Sequence, residues 1–149
     1  MGLIEKYANK DYFYFVFRVF VGLLFLQHGL QKIFGMFGGV GGNTVPLMSL
    51  FGAAGLIELI AGIAIALGLF TRLAAVVSAI EMLVAYFMVH APNGLIPLVN
   101  QGELALLYFA AFVAITAFSD LSANSKKRKT VSGQRYQVSA YKRIFRRKR

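Results

Sequence analysis

Four long apolar runs dominate the chain, at about residues 12–34, 47–70, 73–89 and 97–118. Each approaches the ~20 residues that a helix needs to cross about 30 Å of hydrocarbon. Their apolar character runs round the whole helix circumference, which leaves no face suited to water and argues against a soluble bundle. The composition agrees: 58% of residues are hydrophobic and mean hydropathy is +0.64, against ~45–50% apolar in ordinary soluble domains. The fold expected is an all-α integral membrane four-helix bundle spanning residues 1–120, followed by a basic tail over residues 121–149.

The formal charge of +10 is unevenly placed. Up to Asp120 there are 5 basic and 6 acidic residues, whereas the last 29 residues hold 11 basic residues and no acidic one. Lys6 and Lys10 precede the first run, Arg72 lies in the second connection, and the first and third connections carry no cation. The excess of Lys and Arg on cytoplasmic loops then predicts that both termini face the cytoplasm. The first apolar run is too long for a signal-peptide core and no small-residue cleavage site follows it, so it reads as a retained helix. In the tail, Lys126, Lys127, Arg128, Lys129, Lys142, Arg143, Arg146 and Arg147 form a surface for anionic lipid head groups or an acidic partner, at about 1 kcal/mol per cation near the membrane. Nucleic acid is not expected, because no RNA- or DNA-binding fold precedes the tail.

The charges inside the runs are the lead to function. Arg18, His28 and Lys32 lie in the first, Glu58 in the second, Glu81 in the third, and Asn100 and Glu103 in the fourth. A charge in hydrocarbon persists where it meets a partner or water. Helical spacing gathers Arg18, Val21, Gly22, Phe25, His28, Gly29 and Lys32 on one face of the first helix. On the second, Ala54, Gly55, Glu58, Ala61, Gly62 and Ile65 align. On the third it is Ala74, Ser78, Glu81, Ala85 and Met88, and on the fourth Asn100, Glu103, Leu107, Ala110 and Ala114. Gly22, Gly29, Gly55 and Gly62 are expected to permit close helix packing. All four stripes are expected to turn inward, with Lys32 or His28 pairing with Glu103, and Arg18 with Glu58 or Glu81. Such a network either fixes helix register or holds a polar head group and carries protons. Carboxylates and a histidine are the parts that a proton relay or a quinone head-group site needs.

Other chemistries are excluded or weakened. The absence of cysteine removes disulfides, thiolate catalysis and cysteine-ligated clusters from this chain. No metal-ligand spacing and no cofactor-binding motif is visible. Two histidines on different helices can ligate haem. His90, however, sits at a helix end, near the face opposite Glu81, so haem held by His28 and His90 is not expected. The loop from Gly35 to Pro46 lacks the Lys-Ser/Thr of a phosphate loop and reads as a flexible connection.

Three motifs carry a resemblance. Arg18-Val-Phe-Val-Gly-Leu-Leu-Phe-Leu-Gln-His-Gly-Leu-Gln-Lys-Ile-Phe-Gly35 resembles the opening helix of the DoxX family of small four-helix membrane proteins. Gly55-Leu-Ile-Glu-Leu-Ile-Ala-Gly62, continued by Gly68-Leu-Phe-Thr-Arg-Leu-Ala-Ala75, resembles its second motif. Asn100-Gln-Gly-Glu-Leu-Ala-Leu-Leu-Tyr108 resembles the start of its fourth helix, so that the match covers about residues 12–120 in order. The resemblance implies a prokaryotic inner-membrane protein. Some members are associated with thiosulfate:quinone oxidoreductase and others with complexes that handle thiol or oxidative stress. The positions it carries over are Arg18, His28, Gly29, Lys32, Glu58, Gly62, Arg72 and Glu103. Since this chain lacks cysteine, sulfur chemistry would belong to a partner subunit. The expectation is a non-catalytic membrane subunit of a quinone-linked oxidoreductase that anchors redox partners. The alternative is a scaffold or a small-solute or lipid-handling protein whose buried charges are structural.

Overall fold

The computed structural model describes residues 10–119, and the expected tail surface lies outside them. Among the described residues the regular structure is helical, with no strand beyond one isolated bridge. Helix α1 (Lys10–Phe34) has Asp11 in its first turn and Lys32 in its last, each at the end of the helix dipole that favours its sign. Gly35, at φ 67°, ends it in the left-handed conformation that glycine adopts without penalty. The glycine-rich connection contains a tight turn. Val40 and Asn43 exchange backbone hydrogen bonds of 2.8 and 3.2 Å around Gly41 and Gly42, both at positive φ. Gln31 Nε2 donates to the Gly39 carbonyl at 3.0 Å and ties the turn back to α1.

Ser49 caps helix α2 (Leu50–Leu67), its hydroxyl accepting from the Gly52 amide at 3.0 Å. Gly68 at φ 82° closes α2, and Phe70 at φ 45° turns the chain directly into helix α3 (Thr71–Ala85). Beyond Ala85 the helix widens into a π turn over Tyr86–His90 and then tightens over Ala91–Asn93. Asp11–Phe34, Leu50–Leu67 and Thr71–Asn93 are each long and apolar enough to cross a membrane.

The fourth segment departs from the expected single span over 97–118. It is a short helix α4 (Pro97–Asn100), a break at Gln101 with φ 61°, and helix α5 (Glu103–Ser119). The described residues up to Thr116 belong to one compact unit; of the second unit, only the end of α5 from Ala117 is described.

Burial runs opposite to that of a soluble bundle. Large apolar side chains such as Phe20, Ile60, Leu73 and Leu107 face outward, while Gly52, Gly55, Glu58 and Ser78 are buried. In lipid no hydrophobic force gathers the helices, so close backbone approach and polar contacts hold them. An apolar core does lie between the helices, with Ile65, Met82 and Ile115 buried, and within it Phe25 packs edge-on against Phe112 with centroids 4.7 Å apart and lies 5.4 Å from Tyr108.

Candidate functional site

The site begins with four glycines. A Cβ at Gly22 would lie 2.6 Å from the Ala66 amide nitrogen, and one at Gly29 would lie 2.5 Å from that of Leu59. From the other side, a Cβ at Gly62 would lie 2.7 Å from the Leu26 nitrogen, and one at Gly55 would meet Lys32 Cβ at 2.9 Å. Helices α1 and α2 therefore touch backbone to backbone at two levels, running antiparallel. This contact sets Lys32 beside Glu58, and Lys32 Nζ donates to Glu58 Oε1 in an ion pair whose carboxylate side chain is 3% exposed. The other Glu58 oxygen, both carboxylate oxygens of Glu81 and the Ser78 hydroxyl are buried without a hydrogen-bond partner among the described residues.

Two cavities meet at this pair. The smaller, about 200 Å³, is lined by His28, Lys32, Glu58, His90, Gln101 and Tyr108 as its polar groups. The His28 ring stands edge-on to Tyr108 with centroids 5.6 Å apart. The larger, about 330 Å³, is a groove between α2 and α3 whose ionisable lining residues, among the described residues, are Lys32 and Glu81. Lys32, Phe51, Met82, Ala85 and Val89 line both. The arrangement offers an ammonium donor and free carboxylate acceptors at the junction of a polar pocket and an apolar groove.

Several expected placements are corrected. Arg18 does not pair with Glu58 or Glu81. Its Nη1 donates to the carbonyls of Ile65 and of Ala66 (3.1 Å for the latter), at the C-terminal end of α2. Both carbonyls lie in the last turn and carry the negative end of the helix dipole, so a cation is favoured there, and the Ile65 carbonyl also accepts from the Gly68 amide at 3.2 Å. Gly68 makes the room, since a Cβ on it would lie 2.9 Å from Arg18 Nη1. Glu103 does not join the buried network. It is exposed at the start of α5, and Lys32 takes Glu58 instead. The inward face of α5 is Ala105, Tyr108, Phe112 and Ile115, while Leu107 and Ala110 are exposed. The left-handed residue Gln101 resets the helical phase, so a stripe projected from Asn100 lands on the wrong side. On α3, Ala75, Ser78, Ala79 and Met82 are buried and Met88 is exposed, which leaves Glu81 at the edge of the inward face.

Asn100 is buried but belongs to a separate latch. Its Nδ2 donates to the Gly94 carbonyl at 2.6 Å and its Oδ1 accepts from the Gly102 amide at 2.8 Å. Tyr86 Oη donates to the Leu95 carbonyl at 2.9 Å, and His90 Nδ1 lies 3.1 Å from the Asn100 carbonyl. His90 lines the same pocket as His28, Lys32 and Glu58, while Glu81 lines the neighbouring groove. Among the described residues no group of three or more His, Cys, Asp or Glu could hold a metal ion. The sequence reading missed Tyr108, Gln101 and the α2–α3 groove. Tyr108 was open to detection, since it repeats with Ala105, Phe112 and Ile115 at helical spacing.

The DoxX family profile matches residues 13–91. A protein of Haemophilus influenzae described as uncharacterized is 39% identical over 120 residues, which covers 76% of this chain and 86% of that protein. No solved structure matches. The profile match ends with the α3 extension, so the ion pair and the glycine contact lie inside it, as does every residue of the groove. With three helices of membrane-spanning length and a family match over more than half its residues, the chain belongs to the DoxX family of membrane proteins.

Proposed function

We propose that the chain is the membrane subunit of a quinone-linked oxidoreductase complex, with the Lys32–Glu58 pocket as its site for a quinone head group or for protons. The observation that carries this reading is the buried ion pair at the junction of two cavities, with three carboxylate oxygens beside it left unpartnered. A quinone carbonyl accepts from the Lys32 ammonium. A quinol hydroxyl donates to Glu58 or Glu81, which passes the proton on. His28 and Tyr108 border the same pocket and can continue such a relay. In this reading both termini lie in the cytoplasm, and the basic tail holds a soluble redox partner and the anionic leaflet of a prokaryotic inner membrane. Electron transfer itself belongs to that partner, whose donor chemistry is not encoded here.

Purification of the tagged chain from native membranes in mild detergent tests the reading. A co-purifying flavin, haem or iron–sulfur protein in fixed stoichiometry is expected. Glu58→Gln, which keeps a hydrogen-bond acceptor for Lys32, is expected to abolish quinone reduction by the complex while the complex still assembles, with a lowered melting temperature. A chain that arrives with no redox protein sinks the subunit reading. The nearly wholly apolar lining of the groove then favours the second reading, a protein that handles lipids or other small amphiphiles.

A further inference from the structure

We infer that the groove between α2 and α3 seats the apolar tail of the ligand whose head group meets Lys32, so that the ligand reaches the site sideways from the bilayer. This rests on the head-group reading above and adds a second subsite, with its own specificity residues. The first ground is continuity, because the five shared lining residues make the two cavities one bent space with Lys32 at the bend. The second is chemistry. Apart from Lys32 and Glu81, the groove is lined by Leu, Phe, Ala, Ile, Val and Met. Its volume of about 330 Å³ falls at the lower end of the ~300–1,000 Å³ found for small-molecule sites. The third is Glu81, which lines the groove with both carboxylate oxygens unpartnered and buried. A groove filled by a lipid acyl chain alone would leave that acceptor pair unsatisfied, at a cost that a buried polar group does not bear unless something else bonds to it. A quinone head group at the bend accepts from the Lys32 ammonium in its oxidised form and, once reduced to the quinol, supplies the hydroxyl donors that Glu81 needs, while a single unbranched or isoprenoid tail fills the rest. The fourth is the walls. Ala53 and Ala54 on α2 and Val84 on α3 are small side chains that keep the groove open.

The test is equilibrium binding of two probes to the full chain in dodecyl maltoside micelles, with empty micelles as the reference. The probes are decylubiquinone and its tail-less counterpart, 2,3-dimethoxy-5-methyl-1,4-benzoquinone. Ala54→Phe narrows the groove from α2 at a position that does not itself line the smaller pocket. It is expected to weaken decylubiquinone binding about tenfold, or about 1.4 kcal/mol, and to change binding of the tail-less probe far less. Val84→Phe narrows the groove from the opposite wall at a partly exposed position and is expected to act the same way; it serves if the first variant does not fold. If both probes weaken equally, or neither weakens, the tail does not lie in the groove and the inference falls while the head-group reading stands. If neither probe binds the unaltered chain, the quinone reading falls and takes the inference with it.

Discussion

Lys32 and Glu58 illustrate how a single residue can be costly alone and tolerable in company. Removing one member of a buried ion pair leaves an uncompensated charge, at about 3–5 kcal/mol. Lys32→Met is therefore expected to lower the thermal unfolding midpoint in detergent sharply, whereas Lys32→Met with Glu58→Leu is expected to recover most of the loss. If the single and double variants melt together, the pair contributes nothing to stability. Arg18 holds two carbonyls at the end of α2. A charged donor to a carbonyl contributes about 1.5–3 kcal/mol, so Arg18→Met is expected to destabilise by roughly that amount. Arg18→Lys keeps the charge and a donor for these carbonyls and is expected to recover part of the loss. Circular dichroism melts of the three proteins compare these directly.

At the scale of elements, the α1–α2 contact is the tightest in the fold. Gly29→Ala and Gly62→Ala each place a methyl under 3 Å from backbone atoms of the facing helix, and overpacking of this kind costs about 1–3 kcal/mol. Each is expected to lower the melting temperature, and because the two glycines lie at different levels of one interface the pair should be non-additive. Gly22 is the companion of Gly62 and should behave like it. These faces of α1 and α2 are legible in the sequence because both helices run unbroken and keep the 3.6-residue phase over their whole length. The face of α5 is not, for the phase is lost at Gln101, whose left-handed backbone has no sequence signature comparable to a glycine. The partners of the charges are harder still to read. Spacing says which residues share a face, but Lys32 chooses between Glu58 and Glu103 by interhelical distance, and that distance is set by glycines on another turn. The groove is invisible to periodicity, since it is a gap between two helices and no stripe on either one encodes it.

For the whole molecule the open property is orientation. The chain contains no cysteine, so a single introduced thiol can be labelled without background. A cysteine at Val40, in the α1–α2 connection, is expected to react with a membrane-impermeant maleimide added to intact cells or spheroplasts. A cysteine at Ser125 is expected to react only after the membrane is opened. Labelling of both from outside would overturn the proposed cytoplasmic placement of the tail.

The way α1 and α2 complete each other bears on how the protein is made. The first helix brings two cations, Arg18 and Lys32, and both are satisfied by the second, one at its carbonyl end and one at Glu58. Alone, each cation would cost about 2.5–3.5 kcal/mol at the centre of the bilayer on insertion scales. The ribosome thus delivers a first segment that is poorly soluble in lipid until the second helix, which ends at Leu67, has also emerged. A chain cut after Phe34 should resist carbonate extraction poorly in a cell-free membrane insertion assay, while one ending after Phe70 should integrate. Biogenesis then has a hairpin, not a helix, as its smallest unit.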